Sequence, residues 1–122
     1  MPKAKQILIA EDEKALARAM ELKLGSVGFA VSVVGDGEAT LAALEKNHYD
    51  LLLLDLVMPK QDGFAVLQAM HDKKSVIPVI VMSNLSQTED ETRVKDLGVL
   101  AYFVKSDTPI AEIAAYVQKT LA

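Results

Sequence analysis

The chain has 122 residues, a length that fits one compact domain over residues 1–122. With 13 basic and 17 acidic residues its net charge is −4, which argues against nucleic acid as a direct partner because phosphate binding needs a basic surface. The absence of cysteine excludes disulfides, iron–sulfur clusters and thiolate zinc sites. The apolar runs are too short to cross a bilayer and no signal peptide is present, so we expect a soluble, cytoplasmic protein without a membrane partner.

Five short apolar runs predict β-strands. Most are continuous rather than alternating, which is typical of strands buried on both faces of a parallel sheet. Ser32 interrupts the second run and indicates an edge strand. The runs are Ile7–Ala10, Ala30–Val34, Leu51–Leu54, Val79–Met82 and Ala101–Val104.

Five segments with helical spacing of apolar residues follow these runs. Asp36-Gly37 opens the second, and the fourth, near Thr88–Leu97, has few apolar anchors. Thr108 as N-cap and Pro109 at the first helical position are predicted to open the fifth. A β-α unit that occurs five times predicts a doubly wound α/β fold with helices on both faces of the sheet.

Polar side chains stand at the ends of four predicted strands. They are Glu11 and Asp12 after the first, Asp55 after the third, Ser83 after the fourth and Lys105 after the fifth. Ligands of doubly wound sheets bind beyond the carboxyl ends of the strands, so we expect these residues to gather at one edge. Three nearby carboxylates repel one another unless positive charge lies between them. Lys105 supplies one charge, and a Mg²⁺ ion held by the carboxylates would supply the rest.

The same set of residues is suited to phosphoryl chemistry. Asp55 would be the nucleophile that forms an acyl phosphate, while Mg²⁺ and Lys105 neutralise the transferring oxygens. Each residue alone also has a structural explanation: Glu11 and Asp12 could begin a helix, and Asp55 could be a turn residue. Their combination at separate strand ends favours the phosphoryl site.

Over essentially its whole length the chain resembles the response-regulator receiver domains of two-component signalling, and it is similar to those of the chemotaxis-regulator type. The residues that carry the resemblance are Glu11-Asp12, Asp55-Leu56-Val57-Met58-Pro59 with Asp62-Gly63, Ser83, and Tyr102-Phe103-Val104-Lys105. The resemblance implies a flavodoxin-like fold of five parallel strands in the order 2-1-3-4-5. That order makes the first and third strands neighbours and places Asp12 beside Asp55.

The resemblance also implies a Mg²⁺-dependent phosphoacceptor. Asp55 would take phosphate from a histidine kinase or a phosphotransfer protein of a phosphorelay. Asp12, Asp55 and the backbone carbonyl of Val57 would ligate Mg²⁺ directly. Glu11 would act mainly through a metal-bound water.

A conformational switch is implied as well. Lys105 would pair with the phosphoryl group, Ser83 would hydrogen-bond it, and Tyr102 would move inward as Ser83 shifts. The fourth helix, fifth strand and fifth helix would present the change to a downstream protein or to an output domain outside this sequence. We expect a monomer or weak dimer that assists only its own phosphorylation and dephosphorylation, not an enzyme acting on an external metabolite.

Two positions depart from the family pattern. Ser106 follows Lys105 where the family usually has proline, and Asn84 follows Ser83 where a small residue such as alanine is most common. A non-proline cis peptide bond costs about 2.5–4 kcal/mol, so the Lys105–Ser106 bond is expected to be trans. Asn84 would narrow access to the phosphoryl group or offer it another donor.

Three alternatives belong to other functional classes. A phosphatase of the haloacid-dehalogenase type needs a second aspartate two residues after the first, where this chain has Val57. A nucleotide-binding module is disfavoured because Gly35-Asp36-Gly37 lacks the third glycine of the dinucleotide fingerprint and no Walker A motif exists. The third alternative is a degenerate receiver, a protein-interaction module that works without phosphorylation; the complete set of acids with Ser83 and Lys105 argues against it.

Overall fold

The computed structural model describes residues 4–85 and 88–122. Within them, five strands alternate with five helices, as the sequence predicts, and a short 3₁₀ turn precedes the last helix. No helix of the described residues is long and apolar enough to cross a membrane. The elements are β1 (Gln6–Ala10), α1 (Lys14–Ser26), β2 (Ala30–Val34), α2 (Gly37–Lys46), β3 (Leu51–Leu54), α3 (Gly63–Asp72), β4 (Val79–Ser83), α4 (Thr88–Asp96), β5 (Ala101–Val104), the 3₁₀ turn (Lys105–Asp107) and α5 (Ile110–Thr120).

The strands form one parallel sheet in the order β2-β1-β3-β4-β5, so the predicted flavodoxin-like topology is confirmed. Ala10 pairs with Leu54, and the Asp55 backbone N–H donates to the Ala10 carbonyl at 3.0 Å. The carboxyl ends of β1 and β3 are therefore level, and the residues that follow them leave the sheet side by side. On the other side of β3, the register of β4 and β5 pairs Ser83 with Val104.

The leucine run of β3 shows why the sequence signal is continuous. Leu51 and Leu53 pack with α1 and α5 on one face, whereas Leu52 and Leu54 pack with α3 on the other. Side chains of a strand alternate between faces, so a strand covered by helices on both sides must be apolar at every position. β2 lies at an edge with Ser32 exposed, as predicted.

The predicted start of α5 is wrong by one residue. Pro109, rather than Thr108, is the N-cap; its extended ψ of 147° keeps it outside the helix, and its carbonyl accepts from the Glu112 and Ile113 backbone N–H groups. A 3₁₀ turn that the sequence did not predict occupies Lys105–Asp107, just before this boundary.

One side chain joins the start of β3 to the start of β1. Asp50 Oδ2 accepts a hydrogen bond of 2.7 Å from the Gln6 backbone N–H, and Oδ1 lies 3.1 Å from His48 Nε2. The bond from Gln6 is the main reason that the pKa of Asp50 is lowered.

Replacing Asp50 with alanine should therefore lower the free energy of unfolding at neutral pH by about 1.5–3 kcal/mol, the usual range for a hydrogen bond to a charged group. Because the pKa of Asp50 is lower in the folded chain, this stabilisation is complete above the unfolded value of about 4 and is lost as the pH falls through the folded value. Asp50→Asn keeps an acceptor oxygen without the charge, so its free energy of unfolding should fall by less. Urea unfolding across this pH range tests the prediction. If the free energy of unfolding of Asp50→Ala followed the same pH dependence as that of the wild type, the prediction would be contradicted.

Candidate functional site

Three carboxylates meet at the carboxyl edge of the sheet. Glu11 follows β1 and Asp55 follows β3, and both are almost completely buried, with exposed fractions of 2% and 4%. Asp12 lies beside them and is exposed. One oxygen of each lies within 4.8 Å of the others. The neighbouring positions of β1 and β3 bring these residues together, as the predicted strand order required.

Lys105 enters this acidic cluster from the end of β5. Its ammonium group donates to Asp55 Oδ2 at 3.0 Å and contacts Glu11 Oε1. Burial is the main cause of a raised pKa of Glu11. Burial by itself lowers the pKa of Lys105, but the hydrogen bonds to Glu11 and Asp55 outweigh it and the pKa is raised. Both pKa shifts favour the protonated forms: burial destabilises the Glu11 anion, and the two carboxylates stabilise the Lys105 ammonium group.

The cluster suits a hard divalent cation. Glu11 Oε1 is buried and touches Lys105, yet it makes no hydrogen bond of normal geometry. Oxygen ligands from a few carboxylates are those that Mg²⁺ prefers, together with water molecules. Glu11, Asp12 and Asp55 could thus hold Mg²⁺, which would balance the negative charge that Lys105 leaves unpaired.

The segment after Asp55 folds tightly around the carboxylate. The Val57 backbone N–H lies 3.3 Å from Asp55 Oδ1, while the Val57 side chain is 59% exposed. Asp62 caps α3 by accepting from the Ala65 N–H at 2.9 Å. A Cβ atom on Gly63 would lie 2.4 Å from the Asp55 carbonyl oxygen. The glycine therefore lets α3 begin directly against the backbone of Asp55.

Ser83 and Tyr102 meet at the segment that follows β4. Ser83 is fully buried, and its Oγ accepts from the Leu85 backbone N–H at 3.2 Å. The Tyr102 hydroxyl donates to the Leu85 carbonyl. Burial raises the pKa of Tyr102, with Asp90 and Glu91 of α4 adding to the effect. The hydroxyl therefore stays protonated and able to donate.

The two departures from the family pattern contact one another. Asn84 Oδ1 accepts a hydrogen bond of 3.1 Å from the Ser106 backbone N–H. The described residues contain no cis peptide bond, which agrees with the trans bond expected between Lys105 and Ser106. The Asn84 oxygen is thus directed to the segment after β5. The sequence reasoning missed this contact because it depends on two residues that only the sheet brings together.

Comparison with known proteins identifies the family. The family model described as "Response regulator receiver domain" matches residues 7–118. The chain belongs to this family. The match runs from the second residue of β1 to Gln118 in the last helix, so the receiver-domain prediction made from the motifs is confirmed.

The receiver domain is also similar to longer regulators. It is 35% identical to the "Probable transcriptional regulator ycf27" of Porphyridium aerugineum, over 95% of this chain and 48% of that protein. It is likewise 35% identical to the "Gliding motility regulatory protein" of Myxococcus xanthus, over 97% of this chain but 16% of that protein. The chain thus spans about half of the first relative's length and far less of the second's.

Solved receiver structures have the same fold. The phosphorylated cyanobacterial phytochrome response regulator RcpA superposes with a TM-score of 0.82 and 31% identity, covering 96% of this chain and 91% of that one. The receiver domain of the Francisella response regulator 1452 superposes with a TM-score of 0.88 and 29% identity, covering 94% of each chain.

Proposed function

We propose that this receiver domain is a Mg²⁺-dependent phosphoacceptor switch in which Asp55 receives the phosphoryl group. One observation carries the proposal: Asp55 is a buried carboxylate at the end of a central strand, with the Lys105 ammonium 3.0 Å from one oxygen and two further carboxylates beside it. A purely structural turn aspartate has no need of a buried ammonium and two more acids. The arrangement suits the binding of a Mg²⁺ ion and an incoming phosphoryl group.

The reaction follows from the groups around Asp55. An Asp55 carboxylate oxygen attacks the phosphorus of a phosphohistidine, a C–O–P link forms, and the P–N bond breaks with its electron pair going to the imidazole. Bound Mg²⁺, held by Glu11, Asp12, Asp55 and the Val57 carbonyl, would supply positive charge to the phosphoryl oxygens. Asp55 loses its charge as the acyl phosphate forms, so Lys105 moves its hydrogen bond to a phosphoryl oxygen.

Ser83 and Tyr102 would carry the change away from Asp55. The Ser83 hydroxyl would donate to a phosphoryl oxygen and draw the following segment with it. The Leu85 carbonyl in that segment accepts from the Tyr102 hydroxyl, so a shift of the segment moves the ring. Tyr102 packs on the face of the sheet that carries α4, where Asp90 and Glu91 act on its hydroxyl. The next residue of β5, Phe103, packs on the opposite face, with its ring edge-on against Tyr116 of α5 at a centroid distance of 5.4 Å. The surface of α4, β5 and α5 is therefore the proposed output face.

The partners are proposed at the level of class. A histidine kinase or a phosphotransfer protein would donate the phosphoryl group, and the domain would assist only its own phosphorylation and dephosphorylation. Because the relatives are longer than this chain, we propose that the signal passes to an output domain. The alternative is a separate downstream protein. The net charge of −4 favours protein over nucleic acid at the receiver surface.

Incubation with acetyl phosphate tests the proposal directly. The intact mass should rise by one phosphoryl group in the presence of Mg²⁺ and should stay unchanged when the metal is chelated. A chain that gains no phosphate with Mg²⁺ under conditions that phosphorylate a reference receiver would overturn the proposal. That result would favour the degenerate receiver, which binds partners without phosphorylation.

A further inference from the structure

The contact between Asn84 and Ser106 lies where the sheet ends. The paired residues Ser83 and Val104 are the last of the β4–β5 register. Continuing that register by two residues would place Ser106 opposite Leu85.

The Leu85 carbonyl accepts a hydrogen bond from the Tyr102 hydroxyl. The Ser106 N–H donates instead to the Asn84 side chain, whose Oδ1 lies 3.1 Å from the Ser106 nitrogen. This contact therefore extends the pairing of β4 and β5 by one bond beyond the last backbone pair. A proline at position 106 would have no N–H group to take part.

The bond acts on the peptide unit that follows Lys105. The Ser106 nitrogen is part of the same planar group as the Lys105 carbonyl, so holding the Ser106 N–H fixes the orientation of that plane. The next bond along the chain, from the Thr108 N–H to the Lys105 carbonyl, is long at 3.5 Å. At the other end of the residue, the Lys105 ammonium must reach both Asp55 and Glu11.

We propose that Asn84 is a positioning residue, which holds Lys105 against Asp55 through the Ser106 backbone N–H. The phosphorylation part of the proposal rests on the proposed phosphoacceptor function; the placement of the ammonium group does not. Loss of the Asn84 oxygen frees the Lys105–Ser106 peptide, and the ammonium then spends less time between the two carboxylates.

The test compares Asn84→Ala with Asn84→Asp, which keeps an acceptor oxygen at the same place, and with Asn47→Ala, which removes an exposed asparagine after α2. Exchange of the Ser106 amide proton reports the hydrogen bond. Acetylation by an N-hydroxysuccinimide ester, located by peptide mass mapping, reports the freedom of Lys105 relative to exposed Lys119. The initial rate of phosphorylation by acetyl phosphate reports the consequence for the reaction.

We expect Asn84→Ala to speed Ser106 exchange and the relative acetylation of Lys105, and to slow phosphorylation, each by about fivefold, the effect of losing one ordinary hydrogen bond. Asn84→Asp and Asn47→Ala should stay near the wild type in Ser106 exchange, in Lys105 acetylation and in the rate of phosphorylation. Unchanged Ser106 exchange, or faster exchange without greater reactivity of Lys105, would overturn the proposal. If the wild-type chain takes up no phosphate while Asn84→Ala still frees Lys105, the positioning role stands and the phosphoacceptor function fails.

Discussion

Replacing Asp55 with asparagine is expected to abolish phosphorylation by acetyl phosphate while leaving the fold intact. The amide is nearly the same size, and its single oxygen can still accept the hydrogen bond from Lys105 while the long one from the Val57 N–H is given up, but that oxygen carries no charge and cannot form the acyl phosphate. Removing one of two buried carboxylates also relieves repulsion with Glu11, so we expect no loss of stability in the absence of metal. Intact mass after incubation with Mg²⁺ and acetyl phosphate measures the effect.

Asp62→Asn is the matched control for this variant. Asp62 lies in the same motif, but its side chain caps α3 instead of joining the carboxylate cluster, and asparagine caps a helix about as well as aspartate. This control should gain phosphate like the wild type. A full mass increase in Asp55→Asn would show that the phosphoryl group goes to another residue.

Magnesium is expected to stabilise the wild-type chain, and replacing Asp12 with alanine should remove most of that effect. An ion that binds only the folded state adds about 1.4 kcal/mol of stability when its concentration is ten times its Kd. Lys105 already neutralises part of the cluster, so we expect the affinity to be only millimolar. Thermal unfolding with and without Mg²⁺ measures the shift, which should be a few degrees for the wild type.

Glu13→Ala serves as the control for the magnesium experiment. Glu13 is an exposed acid next to Asp12 in the chain, but it is not one of the three clustered carboxylates. It should keep the full stabilisation by magnesium. If Asp12→Ala acted only by lowering the negative charge of the chain, Glu13→Ala would reduce the stabilisation by the same amount. Equal shifts in Asp12→Ala and the wild type would show that Asp12 does not hold the ion.

The sequence alone predicted the fold, and it predicted that the acids and the lysine would lie together at the end of the sheet. The continuous leucine run of β3 signalled a strand covered on both faces, because only such a strand needs an apolar residue at every position. Acids at the ends of β1 and β3 and a lysine at the end of β5 predicted one charged cluster, because parallel strands end at a common edge. The family motifs supplied the strand order, which chain patterns do not specify.

Tertiary structure decided how the polar groups share their partners. The pairing of Asn84 with Ser106 and of Tyr102 with the Leu85 carbonyl joins residues 17 or more positions apart, and no local pattern encodes such pairs. The start of α5 was likewise visible only in the structure, where a 3₁₀ turn over Lys105–Asp107 precedes the helix and Pro109 is its N-cap. Sequence patterns report which face of an element is buried. Which donor meets which acceptor at the end of the sheet depends on the strand register, and the register exists only in the folded chain.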